Sequence, residues 1–400
     1  MPKLRILIVD DAVVVRRILT ESLSADPELE IAGVAANGRI ALARIPQVSP
    51  DLVIMDVEMP EMDGLQALAE LRKSHPRLPV IMFSTLTQRG AAATLDALAL
   101  GADDYVTKPS NVGSVTVAIQ RVREELIPKI KLLCEARKPV PRAACCVPRQ
   151  SVDHPARVPA TAFPTRHAAR GTRHASGASL VAIGVSTGGP NALADLLPRL
   201  PASFPVPIVI VQHMPAIFTR MLAERLDARA PLAVREGAEG EVLRPGHVWI
   251  APGGRHMRVV RDRASLRLQL DDGPPENSCR PAVDVLFRSL AESVGGGVLA
   301  VVLTGMGQDG LRGGQAIRAA GGQVLVQDET SSVVWGMPGA IVRAGIADGI
   351  LPLDGIATEL ILRTADARRQ TPAATQGERT RSDGRLTSGV SGLGAKRPWR

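Results

Sequence analysis

Four hundred residues exceed one ordinary domain and point to two or three. With 45% hydrophobic and 22% charged residues the chain is globular in composition, which excludes a fibrous or wholly disordered protein. The formal net charge of +8 is uneven: eight Lys/Arg stand against one acid in 137–178 and eight against two in 367–400, leaving −5 on the remainder. Those basic stretches are rich in Pro, Ala, Gly, Ser and Thr, so they read as solvated spacers. No basic recognition helix, zinc finger or aromatic RNA motif accompanies them, and no nucleic-acid partner is expected. No apolar run is long enough to span a bilayer, and MPKLRILIVDD lacks a signal-peptide core, so the reading is cytoplasmic without membrane insertion. The cysteines (134, 145, 146, 279) show neither zinc spacing nor a disulfide framework. Aromatics are only 2%, so the cores must come from Ala, Val, Leu and Ile, as in helix-covered parallel sheets.

Strand-like runs fall at 4–10, 31–35, 52–56, 79–84 and 104–108, with amphipathic helical segments at 13–24, 38–46, 64–74 and 88–99 and a last helix from about 112. Five strands with interleaved helices predict a parallel sheet wound on both faces, with function at the carboxyl ends of its strands. Prolines at 139, 141, 148, 155, 159 and 164 mark a linker. A second alternation begins at 179, with strands at 179–186, 207–213, 247–252, 298–305 and 323–328 and a hairpin around 256–270. Helical patterns sit at 190–199, 216–228, 281–293 and 310–320. The fold class is α/β: two doubly wound parallel-sheet domains, flavodoxin-like and then Rossmann-like, joined by a flexible linker. The divisions are 4–122, a terminal helix and linker over 123–178, a second domain over 179–365 and a basic, disordered tail from 366 to 400.

Asp10, Asp11 and Asp56 end the first and third strands. Three carboxylates there need a counter-charge, which Mg²⁺ and Lys108, held before Pro109, could supply. Ser84 ends the fourth strand, with Thr85 the neighbouring hydroxyl. On VDD (9–11), MDVEMPEMDGL (55–65), FSTLT (83–87) and DYVTKP (104–109), residues 4–122 resemble response-regulator receiver domains. The resemblance implies that Asp56 accepts a phosphoryl group from a histidine kinase, with Asp10, Asp11, Asp56 and the Glu58 backbone around Mg²⁺. It further implies that Ser84 and Lys108 read the phosphoryl group while Tyr105 turns as an aromatic switch. Phosphorylation adds roughly −1.5 to −2 charge, enough to draw a hydroxyl and an ammonium inward.

GVSTGGP (184–190) leaves a strand and opens a helix with G-x-S-x-G spacing, a turn that lifts Ser186 above a sheet edge or cradles a phosphate. His213 ends the next strand at the same edge, and His247 opens a strand at the opposite one. His256, beside a Gly-Gly turn, remains a pocket candidate. Position offers two orienting carboxylates, Asp309 and Asp328. On IGVSTGGP (183–190), VQHMP (211–215), APGGRHM (251–257) and VLTGMGQDG (302–310), residues 179–365 are similar to the catalytic domain of chemotaxis protein-glutamate methylesterases.

That similarity implies Ser186 as nucleophile, His213 as general base and acid and Asp309 as the group orienting the imidazole, with backbone donors near Thr187 and Met306 and a pocket including Gly188 and His256. Val185 and Gln308 stand where the family commonly has Ala and Asn. The implied chemistry is removal of γ-methyl esters from glutamates of chemoreceptors, and deamidation of glutamine, through one acyl-enzyme and with no cofactor for the ester step. A monomer whose unphosphorylated receiver covers the Ser186 cleft is expected. A transcriptional regulator would need a helix-turn-helix after the receiver. A nucleotide-binding module would need an acid where Gln212-His213 stand.

Overall fold

The computed structural model describes residues 3–109, 115–136 and 177–365. The start of the helix expected from 112, nearly all of the linker, and the tail lie outside them.

The first domain runs β1 (Leu4–Val9), α1 (Val13–Ser24), β2 (Leu29–Ala35), α2 (Gly38–Val48), β3 (Leu52–Asp56), α3 (Gly64–Ser74), β4 (Val80–Ser84), α4 (Gln88–Ala99), β5 (Asp104–Thr107) and α5 (Val115–Ala136). Its strands are ordered β2-β1-β3-β4-β5, and every pair is parallel. β3 and β4 are buried along their whole length, which is why they read as unbroken apolar runs. Helix starts follow from capping: Asn37 accepts from Ile40 N–H, Asp63 and Gln66 form a capping box, and Thr87 accepts from Gly90 N–H. The boundary expected at 122 falls inside α5. Leu126, Ile130 and Leu133 of that helix are buried in the same core as Leu19 and Leu23 of α1, so the helix belongs to the first domain. Each such side chain contributes roughly 1.5–3 kcal/mol relative to exposure.

The second domain runs β6 (Leu180–Val185), α6 (Gly189–Leu196), β7 (Ile208–Gln212), α7 (Ala216–Asp227), β8 (Ala233–Glu236), β9 (His247–Ile250), β10 (His256–Asp262) and β11 (Ser265–Asp271). It continues through α8 (Val283–Ser293), β12 (Val298–Val302), α9 (Leu311–Ala319), β13 (Gln323–Gln327), α10 (Met337–Arg343), β14 (Gly349–Leu351) and α11 (Leu353–Thr364). Seven parallel strands are ordered β14-β13-β12-β6-β7-β9-β8, and β10 and β11 form the antiparallel hairpin. The edge strands β8 and β14 span four and three residues, too short to show a periodic signal in sequence. Chain order reverses at β6, which pairs β7 on one side and β12 on the other. A cleft outside the carboxyl ends of the strands follows from that reversal.

The two domains touch. Tyr105 of β5 stacks on Phe218 of α7, with ring centroids 4.7 Å apart and planes 15° apart. Asn191 Nδ2 donates to Leu98 O at 2.7 Å, and Arg225 of α7 pairs with Asp96 of α4 at 2.7 Å. Thr187 Oγ1 donates to Asp104 Oδ2 at 2.8 Å, and Lys129 of α5 holds the same carboxylate oxygen at 3.1 Å.

Candidate functional site

Val185 pairs with Gln212 across β6 and β7, so the next residues, Ser186 and His213, leave the sheet side by side. Gly188 has φ +78, and a Cβ there would meet Val333 at 2.7 Å, so only glycine permits this turn. Ser186, Thr187, Gly188, His213 and Met306 line one cavity of about 840 Å³. His213 Nε2 lies 2.8 Å from Asp309 Oδ2. Asp309 is only 2% exposed, yet every demand of its carboxylate is met. Val283 N–H donates to Oδ2 at 2.7 Å, while Asp284 N–H and Asn277 Nδ2 each donate to Oδ1 at 2.9 Å. The backbone donors sit at the start of α8, where the helix dipole favours an anion.

Burial opposes a charge on His213, but the contacts with Asp309 and Cys279 outweigh it and hold the imidazole above its ordinary range. Burial pushes Asp309 up, and the His213 contact and the backbone donors outweigh it, holding the carboxyl below its ordinary range. Among the described residues no hydrogen bond joins Ser186 Oγ to the imidazole. His213 and Asp309 are bonded to each other without Ser186. The N–H groups of Thr187 and Met306 likewise make no hydrogen bond among the described residues.

One expectation needs correction, that of His256 as a pocket residue. His256 is 2% exposed and does not line the cavity: Nε2 bonds Pro274 O at 3.0 Å, and Nδ1 accepts from Ala282 N–H at 3.2 Å. It braces the segment 274–282 from behind. Asp328, the alternative carboxylate, accepts from Thr330 and Ser331 instead and shapes the turn after β13.

Four contributors escaped the sequence reading. Gln212 Nε2 donates to Ser186 O at 3.0 Å and to His213 O at 3.3 Å, tying the two turns together. Asn277, Cys279 and Asp284 surround the imidazole and its carboxylate. Gln212 lay within a quoted motif, while the other three sit in or just after a loop without periodicity.

The second constellation lies at the ends of β1, β3, β4 and β5. Lys108 Nζ bridges Asp10 Oδ2 at 2.9 Å and Asp56 Oδ2 at 2.8 Å. Burial pushes the Asp56 carboxyl up to about 6, against the opposing pull of Lys108. Asp10, Asp11 and Asp56 offer oxygens within 4.8 Å of one another, a hard donor set that fits Mg²⁺. Glu58 N–H reaches Asp56 Oδ1 at 3.4 Å, while its side chain pairs with Arg89. Ser84 is fully buried and bonds Gly90 O at 3.1 Å, and Thr85 Oγ1 bonds Thr87 Oγ1 at 3.2 Å. Tyr105 is buried against the second domain, 7% exposed.

Two known families match separate stretches of the chain. The response regulator receiver domain family matches residues 6–120, and the CheB methylesterase family matches 181–360. A protein-glutamate methylesterase/protein-glutamine glutaminase of Trichodesmium erythraeum is 56% identical over 91% of this chain and 99% of its own length. One of the same name from a Nocardioides species is 51% identical over 92% of this chain and 97% of its own. The crystal structure of the Thermotoga maritima CheB methylesterase catalytic domain is 43% identical, covering 46% of this chain and 98% of that one with a TM-score of 0.46. The chain belongs to the family of receiver-linked protein-glutamate methylesterase/protein-glutamine glutaminases. Among the described residues no helix is long and apolar enough to cross a membrane.

Proposed function

We propose that this chain is a cytoplasmic, monomeric hydrolase that removes γ-methyl esters from glutamate side chains of chemoreceptors and deamidates glutamines there, under control of phosphorylation at Asp56 by a histidine kinase. The observation that carries the reading is the His213–Asp309 bond of 2.8 Å in the same cavity rim as Ser186, at the ends of two register-paired strands. In this reading His213, in its neutral form, takes the Ser186 proton as Oγ attacks the γ-carbonyl carbon, so turnover rises with pH as the raised imidazole loses its proton. The imidazolium formed is stabilised by Asp309. It gives its proton to the departing methoxide oxygen or amide nitrogen, so methanol or ammonia leaves and an acyl-serine remains. Water, deprotonated by His213, then adds to that carbonyl, and the proton returns to Ser186 as glutamate departs. The unbonded N–H groups of Thr187 and Met306 serve the oxyanion in both steps; one such donor is worth roughly 10²–10³ in rate.

Asp10, Asp11, Asp56 and the Glu58 backbone would hold Mg²⁺, which when bound offsets the charge of the entering phosphoryl group. Lys108 spans the two buried carboxylates and would turn to the phosphoryl oxygens. Tyr105, clamped on Phe218, and Asp104, clamped on Thr187, connect that event to the cleft: a receiver repacked about Ser84 and Tyr105 gives up this contact. The test is methanol release from a methylated receptor fragment and ammonia release from its glutamine form. Ser186→Ala should remove both by at least about 10⁴-fold while Asp56 still accepts phosphate. Retained release from the variant refutes the nucleophile.

A further inference from the structure

The two reactions share every atom except the leaving group. An ester oxygen carries no hydrogen. An amide nitrogen carries two, and must turn its lone pair toward the imidazolium before it can accept the proton and leave as ammonia. An acceptor for an N–H beside the imidazole therefore assists deamidation and gives nothing to ester cleavage.

The segment Glu276–Pro281 stands at the imidazole. Glu276 anchors it through two bonds to Arg288 of α8, at 2.7 and 2.6 Å, and Cys279 lines the same cavity as His213. Asn277 lies between these residues with φ +52, a left-handed conformation that asparagine tolerates. Its amide nitrogen donates both hydrogens, to Asp309 Oδ1 at 2.9 Å and to Asp284 Oδ2 at 3.0 Å. Both carboxylates are buried, 2% and 1% exposed. The amide cannot turn over, since that would set its carbonyl against two carboxylate oxygens. Its orientation is thereby fixed, and Oδ1 makes no hydrogen bond among the described residues. Asn277 is itself exposed and lines the cavity that holds Ser186 and His213.

We infer that Asn277 Oδ1 accepts a hydrogen bond from the carboxamide N–H of a glutamine substrate and so sets the ratio of deamidation to ester hydrolysis. The inference rests on the function proposed above. In the deamidation step the C–N bond of the tetrahedral adduct breaks as the imidazolium proton passes to nitrogen. The second N–H, held by Asn277, keeps the lone pair aimed at that proton. Asn277 also positions Asp309 through Nδ2, which serves both substrates equally.

The experiment uses the full chain with acetyl phosphate as phosphodonor. Its substrates are a receptor cytoplasmic fragment carrying glutamine and the same fragment carrying γ-methyl glutamate at the same position. Asn277→Gly keeps the left-handed backbone without strain, and Asn277→Ser provides a second replacement. Both products should fall as Asp309 loosens, with ammonia release falling roughly tenfold further than methanol release. A ratio does not depend on the fraction of enzyme that is folded, so reduced yield does not blur it. An unchanged ratio in both Asn277 variants, or a larger fall in methanol, overturns the assignment. Release of both products by Ser186→Ala would instead overturn the reading beneath it.

Discussion

If the interdomain contact keeps the cleft shut, loosening it away from the catalytic residues should mimic phosphorylation. Asn191 and Arg225 suit this test because both line a smaller crevice of about 290 Å³ between the domains, and neither lines the cavity of Ser186. Asn191→Ala removes a hydrogen bond to Leu98 O, worth roughly 0.5–1.5 kcal/mol. Arg225→Ala removes a partly exposed ion pair to Asp96, worth roughly 0.2–1 kcal/mol. The double variant thus loses about 1–2 kcal/mol of closure, which raises a small open population by roughly 5–30-fold. Basal methanol release by the unphosphorylated chain should rise by that factor. The rate with saturating acetyl phosphate should stay where it is, so stimulation shrinks in proportion. The assay is product release with and without phosphodonor. An unchanged basal rate would show that these contacts do not hold the cleft. A rise in the phosphorylated rate as well would show that the substitutions act inside it.

Two further expectations rest on single buried groups. Burial pushes Asp56 from 3.8 up to about 6, so the folded domain binds this proton more firmly than the unfolded chain does. The group therefore favours folding below about pH 4, and that support is lost as pH rises through 6. Asp56→Asn should stabilise the first domain at pH 7 by on the order of 1–3 kcal/mol and leave it little changed at pH 4. Urea melts giving equal shifts at both pH values would contradict this. Gly189→Ala would place a Cβ 2.0 Å from Gln212 Oε1 and push aside the amide that ties Ser186 O to His213 O. Turnover should fall by about 10²-fold with phosphorylation of Asp56 unaffected, and a variant within twofold of wild type would show that the brace is dispensable.

Strand-end chemistry was legible in sequence because β-strands announce themselves. Asp10 and Asp56 terminate apolar runs buried over most or all of their length, Lys108 follows the short strand β5, and Ser186 and His213 end two runs paired in register. Position alone left Asp309 and Asp328 equal; the family resemblance chose Asp309, and its bond to His213 and the backbone donors of α8 set it apart. The segment carrying Asn277 and Cys279 has no periodicity to read, and Asn277 and Ser278 take left-handed dihedrals that no motif marks. Asp284 reads as an ordinary first-turn helix acid, although its carboxylate answers to Gly313 N–H and Asn277. His256 looked like a pocket residue because a Gly-Gly turn precedes it. The hairpin turns the ring inward, where two backbone groups satisfy it. The docking of Tyr105 on Phe218 joins residues 113 positions apart, one on a strand of the first domain and one on a helix of the second, a pairing beyond any local pattern.

That stacked pair has a practical side. Tyr105 is the single tyrosine among 400 residues, and it lies where the two halves meet. Fluorotyrosine incorporated throughout the protein would give one ¹⁹F resonance, shifted by the ring current of Phe218 while the halves are together. Its intensity at each position would count shut and parted molecules directly, with no engineered label anywhere in the chain.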